Sequence, residues 1–302
     1  MREREVIKLL AEKMDIGDDC SVIPFAKTHL LLTTDMLHRK TDFPDGMDSY
    51  TIGWRAVAVS LSDIAAMGGK PLAVTVALGA PEFERAFIEK LRDGIIDCAQ
   101  HFDVSHFGGD LDQHEELTLV SSALGEATKP ILRKGAKASE LVCVTGELGR
   151  TGVALEFYKQ KDLETANEMA RFAPRVKEGL ALAPFATSMM DISDGLARSL
   201  YQLAEASKVG FKIDMGALPF SVEAEELARS QEELMEMCLY TGEDYELLFT
   251  LSQEKLLDAK RACEFVVIGQ VTKESVQMKL GADLMELPDR GYEHGNNKPR
   301  RP

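Results

Sequence analysis

The 302 residues hold 35 Lys and Arg against 50 Asp and Glu, a formal net charge of -15. Such a surface repels nucleic acid and anionic membrane alike, and no apolar run approaches the roughly 18 uncharged residues of a bilayer span. Apolar residues at 45% and charged residues at 28% are those of a globular enzyme of one large or two ordinary domains.

Periodicity predicts a short amphipathic helix over 3–13, then an apolar strand over 30–34 that delivers Asp35. A polar loop is expected over 36–52. Ile52, Ala56, Val59, Asp63 and Met67 recur at near-helical spacing, and Gly68-Gly69-Lys70-Pro71 stops that helix. A β-branched strand over 72–78, a helix over 83–102, a short strand over 104–107 and a strand over 116–124 follow. This order makes an α+β domain of residues 1–130. The segment Pro130-Ile131-Leu132-Arg133-Lys134-Gly135-Ala136 marks a boundary, and 131–302 forms a second α+β domain. There the expected elements are a strand over 141–145, a helix from 151, helices over 174–182 and 193–206, and a strand over 211–215. A largely helical 222–239 and strands over 245–252 and 263–271 complete it. The tail 291–302 is polar and basic and is expected to be mobile.

Cys20, Cys98, Cys143, Cys238 and Cys263 are odd in number, far apart and without zinc or redox spacing. They read as reduced thiols. The opening Met1-Arg2-Glu3-Arg4-Glu5 carries no apolar leader, so a cytoplasmic location is expected.

The chemistry concentrates in small acidic motifs at the ends of apolar runs. They are Gly17-Asp18-Asp19, Thr33-Thr34-Asp35, Ser62-Asp63, Gly108-Gly109-Asp110 and Asp191-Ile192-Ser193-Asp194-Gly195. Mg2+ takes oxygen ligands and is usually shared between carboxylates and substrate phosphates. Asp63 is the sharpest case, because an ionised carboxylate in so apolar a helix is costly unless paired or bound to metal; a cap or a buried salt bridge is the alternative. Two glycines before Asp110 let backbone approach a phosphate, although a plain turn accounts for them equally well. Asp191 or Ser193 either caps the helix that follows or places carboxylates beside metal, with the helix start facing phosphate. Gly146-Glu147-Leu148-Gly149-Arg150-Thr151-Gly152 lacks the ending of a Walker motif and reads as a structural turn. Arg133 and Lys134 either reach nucleotide phosphates or are solvated. His101, His106 and His114 have no zinc spacing and read as ordinary residues.

Taken together and in this order, these motifs resemble thiamine-monophosphate kinase, with Ala58-Val59-Ser60-Leu61-Ser62-Asp63-Ile64-Ala65-Ala66-Met67-Gly68 and Gly242-Glu243-Asp244-Tyr245-Glu246-Leu247 extending the match. The family is similar to aminoimidazole ribonucleotide synthetase, selenophosphate synthetase and a hydrogenase maturation protein. The resemblance implies an α+β, two-domain PurM-like fold whose N-terminal sheet pairs across a homodimer, with ATP between the domains. It implies ATP- and Mg2+-dependent conversion of thiamine monophosphate to thiamine diphosphate, with several ions held. Another synthetase of the superfamily, such as aminoimidazole ribonucleotide synthetase, is the alternative.

By the same resemblance Asp19, Thr33, Thr34, Asp35, Asp63, Asp110, Asp191 and Asp194 match metal positions, of which Asp35, Asp63 and Asp191 are the catalytic candidates. Gly109, Asp110, Arg133 and Ser193 match ATP positions, and Asp42, Glu243 and Tyr292 match the acceptor pocket. Asp42 stands where the family has histidine, and Arg39 and Lys40 beside it offer positive charge to the acceptor phosphate.

Overall fold

Two mixed β-sheets, drawn from successive stretches of chain, carry the structure, a computed structural model that describes residues 3–14 and 16–294. The first stretch runs α1 (Glu3–Ala11), β1 (Ser21–Phe25), β2 (Thr28–His38), α2 (Ser49–Ala66), β3 (Lys70–Ala80), α3 (Arg85–His101), β4 (Ser105–His106), β5 (Leu111–Gln113) and β6 (Thr118–Ala127). Its sheet has the order β1-β2-β6-β3-β4, with β5 also on β3. The second stretch runs β7 (Leu141–Val144), α4 (Arg150–Gln160), α5 (Leu163–Ala170), α6 (Val176–Leu182), β8 (Ser188–Asp191) and α7 (Leu196–Ser207). It continues through β9 (Gly210–Asp214), α8 (Val222–Leu227), α9 (Gln231–Met235), β10 (Leu247–Leu251), α10 (Leu256–Ala262), β11 (Val266–Thr272), β12 (Val276–Leu280) and β13 (Asp283–Glu286). Its sheet has the order β13-β12-β9-β11-β7-β10-β8.

Alternation decides which side chains of the first sheet reach the core. On β2, Leu31, Thr33 and Leu37 are buried toward the helices, whereas Leu32 is 42% and Met36 61% exposed. Residue pairing carries this pattern across the sheet, for Leu32 lies opposite Leu124 and Met36 opposite Val120. The outward face of this sheet is thus apolar and uncovered in the single chain.

Helix α2 is the central element. Asp48 caps its start by accepting a hydrogen bond from Thr51 N. Fourteen of its eighteen residues are buried, so it reads as apolar on nearly every side. It packs against β2, β3, β6 and α3 of the first stretch and against α5, α6 and β8 of the second. The second sheet is apolar on both faces. Leu247, Phe249 and Leu251 of β10 join Cys143, Met189 and Leu182 on one face. Leu248, Val142, Val144 and Met190 join Leu196 and Leu200 of α7 on the other.

Several expected elements are longer in the structure, and some went unread. The strand expected over 30–34 runs Thr28–His38, and the polar loop begins only after it. Strand β1 is exposed throughout and shows no alternation. Strand β8 is buried throughout and shows none either. The expected mobility of 295–302 lies outside the described residues. Among the described residues no helix is long and apolar enough to cross a membrane, and all five cysteines are free thiols.

Candidate active site

Four carboxylates from four separate stretches of chain meet where α2 passes between the sheets. Asp19 comes from the turn before β1, Asp35 from β2, Asp63 from α2 and Asp191 from the end of β8. One oxygen each of Asp19, Asp63 and Asp191 lies within 4.8 Å of the other two. Asp35 completes the group, close enough that its charge raises the Asp63 carboxyl.

The side chains that orient these acids are small hydroxyls. Thr33 Oγ1 donates to Asp63 Oδ2. Ser60 Oγ, one turn before Asp63, donates to Asp35 Oδ2 at 2.8 Å and lies 2.6 Å from Ser121 Oγ. Ser62 Oγ donates to Asp191 Oδ2 at 2.5 Å and so ties α2 to the second sheet. Helical spacing turns Ser60 and Asp63 toward β2 and Ser62 toward β8. Sequence reasoning gave Ser60 and Ser62 no part; the signal was their place in an otherwise apolar, buried helix.

Electrostatics here is severe. Burial, then the neighbouring carboxylates Asp35, Asp191 and Asp19, pushes Asp63 well above the usual carboxylate range. Asp191 is pushed up to about 8, first by burial and then by Asp19. Burial also raises Asp35 and Asp19, the latter despite its arginine. That arginine is Arg133, whose Nη2 donates to Asp19 Oδ1 at 2.6 Å and whose backbone N donates to Asp18 Oδ1 at 2.7 Å. Asp19 Oδ2 is buried with no hydrogen-bond partner. A divalent cation satisfies each of these features: it supplies charge to crowded acids and a partner to the orphaned oxygen. Burial and then the same aspartates also raise the Cys20 thiol, which is inert as a nucleophile.

A cleft of about 530 Å³ opens on the Asp19 side of this group, lined by Asp18, Asp19, Thr33 and Thr34 and by the basic Lys129 and Lys134. Thr34 contributes to the wall, but its Oγ1 meets Ser122 Oγ at 2.9 Å rather than the aspartates, because adjacent strand residues face opposite ways. Gly109 and Asp110 lie on the exposed loop between β4 and β5, apart from the acidic group. Gly109 (φ +152°) passes so close to β3 that a Cβ would sit 1.7 Å from the Val76 carbonyl oxygen. Asp194 is half-buried on the turn after Asp191 and stands outside the three-carboxylate cluster.

The expected acceptor residues gather on the other side of that turn. Glu243 N donates to Ser193 O at 2.7 Å, and Tyr292 N donates to Asp194 O at 3.0 Å. Glu243 is buried and ion-paired to Arg55 of α2 at 3.0 Å. The Asp42 carboxylate instead closes the turn after β2, accepting from His38 N at 2.9 Å and Thr41 Oγ1 at 2.7 Å. Arg39 and Lys40 are engaged locally, with Asp45 and Glu116. Arg55 was not anticipated.

Known proteins match along the chain. The family described as AIR synthase related protein, N-terminal domain, matches residues 17–127, and its C-terminal domain counterpart matches 137–280. A thiamine-monophosphate kinase of Methanospirillum hungatei JF-1 is 39% identical over 96% of this chain and 97% of its own length. One of Halobacterium salinarum is 39% identical over 97% of this chain and 100% of its own. The solved structure of AaThiL complexed with AMPPCP and TMP has a TM-score of 0.87 at 27% identity, covering 96% of this chain and 95% of that one.

Proposed function

Because this chain belongs to the thiamine-monophosphate kinase family, we propose that it phosphorylates thiamine monophosphate with ATP, giving thiamine diphosphate and ADP. The observation that carries this reading is the meeting of Asp19, Asp63 and Asp191 at one point, with Asp19 on the wall of a cleft edged by Lys129 and Lys134. A solved relative holding AMPPCP and TMP supports the same pair of substrates.

The task is to bring two phosphate groups together against their repulsion. Mg2+ fits the donor set of Asp19, Asp35, Asp63 and Asp191, and when bound it supplies the charge neutralisation and template that phosphoryl transfer needs. The residues of the chain do the rest. Thr33, Ser60 and Ser62 fix the carboxylates, so little reorganisation accompanies reaction. Arg133, Lys129 and Lys134 draw the polyphosphate into the cleft. The first turn of α7 follows Gly195 without a side-chain cap, which leaves backbone N–H groups for a phosphate. The acceptor oxygen is already ionised near neutral pH, since a second phosphate pKa is about 6. No general base or covalent intermediate is called for, and positioning carries the reaction.

The remaining parts of the reading follow the family. Residues 1–130 form the ATP, metal and dimer domain, and 131–302 close the cleft. Gly109, Asp110, Ser193 and Asp194 serve the nucleotide and its ions, while Asp42, Glu243 and Tyr292 serve the acceptor. The uncovered apolar face carrying Leu32 and Met36 pairs with a second copy of the chain. Free thiols suit a cytoplasmic enzyme. Incubation with ATP, Mg2+ and thiamine monophosphate tests the reading: thiamine diphosphate and ADP should appear one to one. ADP release with formylglycinamidine ribonucleotide but not with thiamine monophosphate would overturn it.

A further inference from the structure

We propose that Arg55 is a positioning residue for the acceptor, holding the Glu243 carboxylate against the cationic thiazolium ring of thiamine monophosphate. The proposal rests on the reading that Glu243 faces that substrate.

Arg55 is 1% exposed, in the middle of the most buried helix of the chain. A cation there is costly, and a well-packed apolar residue serves stability at least as well. Its Nε and Nη2 make no hydrogen bond, so its own satisfaction does not account for it, and Nη2 meets Glu243 by charge. What Arg55 does hold is the segment 243–245. Nη2 lies 3.0 Å from Glu243 Oε2, and Nη1 donates to Ala170 O at 3.0 Å. The guanidinium sits 5.6 Å from the Phe172 ring centroid, and Phe172 stacks on Tyr245 with centroids 4.0 Å apart.

That segment needs holding. Glu243 and Tyr245 have φ of +59° and +51°, a backbone region that side chains other than glycine rarely enter. Strain of this kind persists where the surroundings over-determine it, commonly at ligand sites. Glu243 N and Tyr245 N are tied to Ser193 O and Ile192 O, and Thr151 Oγ1 donates to Glu243 O at 2.7 Å. These bonds fix the backbone; Arg55 fixes the carboxylate. Asp42 also lies within electrostatic reach of Arg55. The Glu243 carboxylate, so held, offers an anionic partner to a cationic ring.

The test compares R55M, R55K, E243Q and the R55M/E243Q double variant, measuring KM for thiamine monophosphate and for ATP separately. R55M should raise the acceptor KM by roughly tenfold to a hundredfold, the scale of a misplaced binding group, and leave the ATP KM unchanged. R55K keeps the charge without the fork and should fall between. The double variant should be no worse than E243Q, since Arg55 acts through Glu243. Equal rises in both KM values, or multiplicative effects in the double variant, would overturn the proposal. An unchanged acceptor KM in E243Q would instead overturn the pocket reading itself. Should R55M fail to fold, R55K/E243Q against E243Q carries the same comparison.

Discussion

Replacing Asp63 with Asn should make the metal-free protein more stable and the enzyme nearly inactive. Oxygens of Asp19, Asp63 and Asp191 lie within 4.8 Å of one another. At an effective dielectric constant of about 20, two unit charges at that separation repel by about 3.5 kcal/mol. Raised pKa values relieve part of this by protonation, leaving a gain of about 1–2 kcal/mol for the neutral side chain. Asn keeps an oxygen to accept from Thr33 Oγ1, so little else changes. In EDTA the melting temperature of D63N should exceed that of the wild type by about 2–3 °C. With saturating Mg2+ the order should reverse, because only the wild type gains fully from the ion. Turnover, followed by ADP release, should fall by about 10²-fold or more. A variant less stable than wild type in EDTA, yet turning over normally, would refute the reasoning.

Asp244 supplies a pH test away from the carboxylate cluster. It caps α4 from a distance, accepting from Gly149 N at 3.0 Å and Thr151 N at 3.3 Å, and burial pushes it up to about 7. The folded state therefore holds this proton more tightly than the unfolded chain, and the contribution is complete below pH about 4 and is lost as pH rises through 7. The stability of wild type relative to D244N should fall by up to about 4 kcal/mol between these limits; urea melts showing a constant difference would argue against it. On the proposed pairing of the uncovered sheet face, wild type should be a dimer in light scattering, and Leu32→Asp or Met36→Asp should make it a monomer without unfolding it. Gly109→Ala should cost about 2 kcal/mol or more in a denaturant melt, because the new Cβ meets the Val76 carbonyl; wild-type stability would mean that the loop has room to move.

The aspartates were legible because burying acid is costly, and acid at the end of an apolar run therefore signals a purpose. Asp63 in an apolar helix is the clearest case. The hydroxyls that serve them were not legible, since Ser60 and Ser62 look like ordinary small helix residues until Asp35 and Asp191 arrive from elsewhere. A partner distant in sequence also explains Lys40, whose charge is met by Glu116, whereas Arg39 pairs nearby with Asp45. Thr33 and Thr34 form one motif in sequence, yet the pleat sends their hydroxyls to different neighbours. Strand β8 escaped for a simpler reason. Four residues buried on both faces carry no period to read.

Helix α2 also acts as a spacer. Asp63 stands eight positions after Arg55, about 12 Å along the axis at the usual helical rise. One rod therefore fixes the gap between the end of the site proposed to grip a ring and the end proposed to handle phosphate. An inserted alanine between them would advance one end by about 1.5 Å and swing it by about 100°, while leaving every named side chain in the chain. The length of this helix, counted in residues, is as much a part of the chemistry as the groups mounted on it.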